Sequence, residues 1–99
     1  ILRYIQSHYT TITLSELSKI FHYSVPYLSK IIKETTDQSF SSVVRKLKMR
    51  AAVQLLETTN DSIEKIAEDV GYNSVYSYRR AFKRLFHISP SAYREQKLP

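Results

Sequence analysis

A single glycine, Gly71, and three prolines are the only strong chain-breaking residues in the 99-residue sequence. Hairpin turns draw heavily on glycine and proline, so a chain with so few of them is poorly supplied for connecting strands. Apolar residues instead recur at steps of three and four, as at Ile1, Ile5 and Tyr9. This spacing predicts an all-α fold with about seven helices.

The first predicted helices are separated by residues that cap helix N-termini. The first helix covers roughly residues 1–9 and ends before "TTITL". Thr13 and Glu16 form a capping box, in which the hydroxyl and the carboxylate each satisfy a backbone amide, so a second helix begins at Leu14. Ser24 caps a third helix, whose first turn tolerates a proline because amides there have no intrahelical acceptor.

The middle of the chain predicts the longest helix. Ser39 is its cap, and the helix extends over residues 39–57 as a linker. Asp61 with Glu64 offers the next N-cap pairing. A further helix then follows Gly71 and runs from about residue 74 to residue 86.

Ser89 as a cap and Pro90 at the first helical position start a last short helix. Helical periodicity also predicts which side chains face the core. The predicted inward residues are Leu14, Leu17, Ile20, Phe21, Leu28, Ile31, Ile32, Val43, Leu47, Ala51, Leu55, Leu56, Ile63, Ile66, Ala67, Val70, Tyr78, Ala81, Phe82, Leu85 and Tyr93.

The chain contains an internal repeat. "LSKIFHYS" at residues 17–24 aligns with "IAEDVGYN" at residues 66–73, an offset of 49 that places His22 opposite Gly71. Beyond the turn the offset becomes 50, so the second turn has one extra residue. The pairs beyond the turn are Leu28 with Tyr78, Lys30 with Arg80, Ile32 with Phe82, and Lys33 with Lys83.

Each repeat has the pattern of a helix-turn-helix unit, in which a second helix enters the DNA major groove. The predicted units are residues 14–35 and 62–86, joined by the linker helix 39–57. Glycine suits the turn because a left-handed backbone costs other residues roughly 1 kcal/mol or more. The histidine at the equivalent position of the first unit indicates that glycine is preferred there and not required.

The charge balance indicates an anionic partner. Fifteen Lys and Arg against nine Asp and Glu give a net charge of +6. Nucleic acid is one such partner, and the alternative is a basic helical module that binds an anionic membrane or an acidic protein. Gel-shift competition between specific and scrambled duplexes distinguishes these two hypotheses, because equal competition contradicts sequence-specific DNA binding.

Catalytic, metal and cofactor chemistry have no support in the sequence. There is no cysteine, the three histidines are scattered without ligand spacing, and one glycine cannot build a phosphate-cradling loop. The acidic residues form no convincing carboxylate pair. We therefore expect no enzyme activity, no metal and no cofactor.

The apolar runs are too short to span a membrane, and the sequence predicts a soluble, cytoplasmic protein. Because residue 1 is an isoleucine already in helical rhythm, we expect the chain to come from a longer protein.

Three stretches resemble the DNA-binding domain of the AraC/XylS family of bacterial transcription regulators. They are "SIEKIAEDVGY", "RRAFKRLFHISPSAYR" and the pattern "SF...KM..A..LL" over residues 39–56. The resemblance covers nearly all of residues 1–99. It implies a DNA-binding domain that recognises promoter or operator duplexes, works with RNA polymerase, does not bind membranes and is attached to an N-terminal sensor or dimerisation domain.

The sequence departs from the family pattern at a few positions. Asp37 and His87 stand where the family usually has glycine, although both residue types are tolerated in turns. The family commonly has Ser-Tyr-Phe where this chain has Tyr76, Ser77 and Tyr78. That exchange falls on the predicted DNA-facing helix, so it bears on base preference. Val43 and Val44 likewise replace a usual Tyr-Leu.

The predicted DNA-facing residues lie opposite the inward positions of the two second helices. Arginine is the best candidate for a base contact because its planar fork matches guanine O6 and N7. Side chains and amides at helix starts are candidates for phosphate contacts. The helix candidates are Val25, Pro26, Ser29, Lys30, Lys33, Val75, Tyr76, Arg79, Arg80 and Lys83, and the phosphate candidates are Thr13, Ser15, Asn73 and Ser74.

Overall fold

The structure, a computed structural model, describes residues 1–97, and the prediction of an all-α fold is confirmed over that range. Seven helices lie within it and no strand. In chain order they are α1 (Leu2–His8), α2 (Leu14–Phe21), α3 (Val25–Thr36), α4 (Phe40–Thr58), α5 (Ile63–Asp69), α6 (Val75–Phe86) and α7 (Pro90–Lys97).

The helices form two compact units, and the division falls inside α4 between Leu47 and Lys48. The first unit holds α1 to α3 with the beginning of α4, and the second holds the rest of α4 with α5 to α7. Each unit has a hydrophobic cluster of its own. One continuous helix therefore contributes residues to both cores.

The core of the first unit draws on α1, the loop after it, α2, α3 and the beginning of α4. Its buried residues are Ile5, Ile12, Leu17, Leu28, Ile32 and Val44. Ile20 was predicted to face inward, and this prediction is wrong because its side chain is 43% exposed. At 100° per residue, Ile20 lies at the edge of the apolar stripe of α2, 60° beyond Leu17, and Leu14 and Phe21 fill the other side.

The core of the second unit surrounds the aromatic side chains of α6. Its buried residues are Met49, Ala52, Leu56, Ile66, Ala67, Val70, Tyr78 and Phe82. The prediction that Leu85 faces inward is wrong, since it is 42% exposed. Phe86 takes that place, with its ring centroid 4.5 Å from Phe82 and 6.2 Å from Tyr93.

The apolar face of α4 is centred differently from the prediction. Val43, Leu47, Ala51 and Leu55 are only partly buried, whereas Val44, Met49 and Ala52 are buried. A helix that supplies two separate clusters does not follow one continuous stripe, so periodicity read along its whole length misplaces the centre.

Side-chain caps start the helices at almost every predicted position. The Thr13 hydroxyl accepts from the Glu16 amide at 3.1 Å, and Ser24 accepts from the Tyr27 amide at 3.2 Å. Ser39 and Ser89 cap α4 and α7 in the same way, at 3.2 and 3.1 Å. These bonds satisfy amides that the helices cannot satisfy internally.

The predicted cap at Asp61 is wrong. Ser62 caps α5 instead, and its hydroxyl accepts from the Lys65 amide at 3.0 Å. Asp61 belongs to the preceding loop, where its amide donates to the Thr59 hydroxyl and its carbonyl accepts from Arg94. The repeat offset of 49 maps the cap Thr13 onto residue 62, so the repeat predicts the cap at Ser62 correctly.

Candidate nucleic-acid interface

The two helix-turn-helix units repeat in backbone conformation as well as in sequence. His22 and Gly71 both have positive φ, 60° and 100°, at the turn that follows the first helix of each unit. Ser24 and Ser74 both cap the second helix. The offset is 49 at the first pair and 50 at the second, so the extra residue in the second turn is confirmed.

The second helix of each unit also ends in the same way. Asp37 after α3 and His87 after α6 adopt φ of 61° and 67°, in the left-handed region. Their amides donate to the carbonyls of Lys33 and Lys83, at 2.8 and 2.7 Å. Two residues that replace family glycines thus adopt the backbone conformation for which glycine is usually chosen.

The outer face of α6 carries the predicted charges. Tyr76, Arg79, Arg80 and Lys83 are exposed, opposite the buried side chains of Tyr78 and Phe82. Val75 differs from the prediction because it is only partly exposed and packs against the core of the second unit. Periodicity therefore placed the face correctly, and its N-terminal edge turns partly inward.

The two adjacent arginines of α6 have different contacts. Arg79 Nη2 lies 3.5 Å from Glu64 Oε1 on α5. The guanidinium carbon of Arg80 lies 5.5 Å from the ring centroid of Tyr76, one turn earlier on the same helix. Sequence reasoning missed both pairings, although the four-residue spacing of the second is visible in the sequence.

The outer face of α3 is less strongly basic. Val25, Pro26, Lys30 and Lys33 are exposed, and Ser29 is half-buried. Lys30 Nζ lies 4.0 Å from Glu34 Oε1, and Lys33 Nζ donates to the Asp37 carbonyl at 3.2 Å.

Two tyrosines on either side of the start of α3, Tyr23 and Tyr27, are also exposed, and their ring centroids are 5.0 Å apart. Neither was among the predicted contacts, because periodicity alone does not distinguish a surface tyrosine from a packed one.

The predicted phosphate contacts at helix starts divide into two groups. The hydroxyls of Thr13 and Ser74 already accept from amides of their own helices. Ser15 and Asn73 are exposed. At Thr13 and Ser74, the groups available to a phosphate are therefore the backbone amides of the helix N-terminus. At Ser15 and Asn73, they are the side chains.

Lys48 of α4 supports the second turn. Its ammonium donates to the Gly71 carbonyl at 3.0 Å and lies 4.9 Å from the ring centroid of Tyr72. Partial burial lowers the pKa of Lys48 below its usual value. This lysine holds the turn in place, a role its position in the basic stretch "RKLKMR" does not reveal.

Arg94 of α7 contacts the end of α4 and the loop that follows it. Its guanidinium donates to the carbonyls of Leu56, Thr59 and Asp61 at 3.4, 3.3 and 2.6 Å. The neighbouring Tyr93 hydroxyl donates to Glu57 at 2.5 Å. A cation placed on the last carbonyls of α4 complements the helix dipole there.

Residues 1–97 contain no group of histidine, cysteine or acidic side chains arranged to hold a metal ion. Among the helices described, none is both long enough and apolar enough to cross a bilayer.

Known proteins match nearly the whole chain. Residues 17–96 match a family model described as a helix-turn-helix domain. The raffinose operon transcriptional regulatory protein RafR of Pediococcus pentosaceus is 36% identical over 93 residues, which are 93% of this chain and 34% of RafR. The chain therefore spans about a third of the length of that relative.

Solved structures give the same result. The C-terminal domain of AraT, a response regulator from Geobacillus stearothermophilus, is 34% identical with a TM-score of 0.93, over 98% of this chain and 82% of that one. The DNA-binding domain of AdpA, solved in complex with a target DNA, shares the fold at 22% identity and a TM-score of 0.89, over 96% and 86% of the two chains.

Proposed function

Because the chain belongs to the AraC-type family of helix-turn-helix DNA-binding domains, we propose that it recognises a specific promoter or operator duplex for a bacterial transcription regulator. The family consists of DNA-binding domains of transcription regulators. The observation that carries the proposal is the outer face of α6, where Arg79, Arg80 and Lys83 are exposed opposite a buried aromatic face.

We propose that residues 1–99 act as one DNA-binding domain. Its parts are helix-turn-helix units at residues 14–35 and 62–86 and the linker helix 39–57. In this arrangement α3 and α6 enter successive major-groove segments, which are about 34 Å apart along one face of a duplex. A single chain then reads a non-palindromic site.

The second unit supplies most of the base reading in this proposal. Arg80 meets a guanine through its planar fork, with Tyr76 and the exposed part of Val75 beside it, and Arg79 contacts a phosphate. Lys83 contacts a phosphate, as do Asn73 and the N-terminal amides that follow Ser74.

The first unit contributes a weaker code. Val25 meets a thymine methyl, and Ser29 donates to a base edge from its half-buried position. Lys30 and Lys33 act as point charges toward phosphates. Pro26 is exposed in the first turn of the same helix, and Thr13 and Ser15 approach the DNA backbone at the start of α2.

The wider assignment rests on the relatives. RafR is about three times as long as the chain, so we propose that the domain works with an N-terminal sensor or dimerisation region. Its site of action is then the bacterial cytoplasm, with RNA polymerase as a partner and no catalytic activity of its own. The comparisons give no support to the alternative of a membrane- or acidic-protein-binding module.

Competition binding tests the proposal. A duplex selected by the chain from a random pool is labelled and challenged with unlabelled selected and scrambled duplexes in a gel-shift assay. We expect the scrambled duplex to compete at least tenfold more weakly, within the range that separates specific from non-specific sites. Equal competition contradicts sequence-specific recognition, and preferential binding to anionic vesicles supports the alternative.

A further inference from the structure

The outer face of α6 holds Arg80 by a contact that leaves its hydrogen-bonding edge open. The guanidinium carbon lies over the ring of Tyr76, 5.5 Å from the ring centroid, which is within the range of a cation–π contact. Tyr76 is 65% exposed, so its ring has no place in the core. Among the described residues, no carboxylate forms an ion pair with Arg80.

A guanidinium in a cation–π contact and one in an ion pair have different capacities to read a base. A cation–π contact is made to the face of the ring and takes up no hydrogen-bond acceptor, so the N–H donors of the guanidinium stay available. An ion pair uses the edge itself, as at Arg79, whose Nη2 faces Glu64 at 3.5 Å. Arg80 is therefore restrained and still able to donate two parallel hydrogen bonds.

We propose that Tyr76 is a positioning residue for Arg80, and that it sets base preference by holding the guanidinium plane for bidentate reading of a guanine. The inference rests on the proposed function and deepens it. A free arginine loses considerable side-chain freedom when it binds, and the ring removes part of that loss beforehand.

The first unit is an internal comparison for this arrangement. The offset of 50 maps Tyr76 onto Pro26 and Arg80 onto Lys30. That pair has neither an aromatic ring nor a planar fork, and Lys30 lies near Glu34 instead. The positioned guanine reader is thus confined to α6, at the point where the chain departs from the usual family residues.

The contact is testable in the free protein, without DNA. In NMR spectra, the Arg80 side-chain resonances should carry a ring-current shift from Tyr76. We expect Tyr76→Leu to abolish that shift, Tyr76→Phe to keep it, and the matched surface variant Tyr27→Leu to leave it unchanged. A wild-type Arg80 without such a shift overturns the proposal independently of any result on DNA.

The consequence for recognition is measured on a selected duplex. Substituting each base pair in turn identifies the pair whose preference Arg80→Ala abolishes. We expect Tyr76→Leu to lower discrimination at that same pair roughly 3- to 30-fold, with an unchanged salt slope, while Tyr76→Phe retains most of it. In Arg80→Ala, adding Tyr76→Leu should have no further effect at that pair.

Two outcomes on DNA overturn the inference while the proposed function survives. One is that Tyr76→Leu leaves discrimination at the Arg80 pair intact, and the other is that it changes preference only at a different pair, which makes Tyr76 a reader in its own right. If wild-type binding shows no sequence preference, the proposed function fails and the inference fails with it.

Discussion

The ammonium of Lys48 donates a 3.0 Å hydrogen bond to the carbonyl oxygen of Gly71, 23 residues away in the sequence. The bond ties the middle of α4 to the turn that precedes α6. A half-buried lysine with a lowered pKa has given up part of its hydration to make this contact. The position of the second turn therefore depends on a residue outside its helix-turn-helix unit.

Replacing Lys48 tests this dependence. We expect Lys48→Met to lower the free energy of unfolding by about 1–2 kcal/mol, because the charged hydrogen bond and the contact with the Tyr72 ring are both lost. Urea unfolding measures the change. Lys46→Met, at an exposed position of the same helix, is the control, and an equal loss in both variants contradicts a specific role for Lys48.

Tyr78 carries a buried hydroxyl for which the described residues provide no hydrogen-bond partner. We expect Tyr78→Phe to raise the free energy of unfolding by about 1 kcal/mol at neutral pH, since it removes an unsatisfied polar group without changing the ring. Thermal unfolding followed by circular dichroism measures this. Tyr27→Phe, at an exposed tyrosine, should change little, and a destabilised Tyr78→Phe protein contradicts the interpretation.

The same residue predicts a pH dependence. Burial raises the pKa of Tyr78 well above its usual value of 10.0. Above pH 10 the unfolded chain loses this proton while the folded chain keeps it, so stability falls as the pH rises. In Tyr78→Phe that part of the alkaline fall should disappear. The measurement is the free energy of unfolding of both proteins between pH 8 and about 11. The same decrease with pH in the two proteins contradicts the prediction.

Arg94 satisfies three carbonyls at and beyond the end of α4, and its removal should be costly. We expect Arg94→Met to lower the free energy of unfolding by about 2–3 kcal/mol, because half-buried acceptors lose a charged donor. Arg50→Met, at an exposed position of α4, provides the matched loss of charge. Similar denaturation midpoints for the two variants would show that the carbonyl contacts contribute nothing measurable.

Glu64 faces Arg79 and should weaken DNA binding through that contact. We expect Glu64→Gln to strengthen binding to all duplexes about 2- to 5-fold and to steepen the salt dependence, because an exposed pair worth under about 1 kcal/mol no longer competes with phosphate. Titrations at several salt concentrations measure both effects. Glu95→Gln, which removes an exposed charge from α7, is the control. An equal gain in DNA affinity in that variant would show that only the net charge matters, and it would contradict a specific role for the contact between Glu64 and Arg79.

Arg80 and Lys33 should differ in the kind of loss that they cause. Arg80→Ala should cost about 1–3 kcal/mol of binding and change the preferred base at one position. Lys33→Ala should weaken all duplexes alike and lower the salt slope by about one. Selection from a random duplex pool and salt titrations distinguish the two. Unchanged affinity and preference in Arg80→Ala would contradict the orientation assigned to α6.

Local rules predicted the helices, all the caps but one and most buried faces, because these depend on residues within one or two turns. The same rules misplaced Ile20 and Leu85, since the limit of a core depends on what packs from other helices. The cap at Ser62 could have been predicted, because the repeat aligns Ser62 with the cap Thr13.

The contacts of the candidate site were less accessible from the sequence. The pairing of Arg79 with Glu64, like that of Lys48 with Gly71, joins residues from different helices or loops, so no local spacing encodes it. Tyr76 and Arg80 are one turn apart and could have been paired from the sequence alone. Periodicity thus identified the exposed face, but it did not show which arginine keeps its fork open.

The boundary inside α4 has a consequence for dissecting the protein. Cutting between Leu47 and Lys48 separates the two cores but severs a helix, which leaves up to four carbonyls without partners on one fragment and up to four amides on the other. A fragment with one helix-turn-helix unit keeps these groups paired within the helix only if it extends about four residues past the boundary, so two such fragments overlap in sequence.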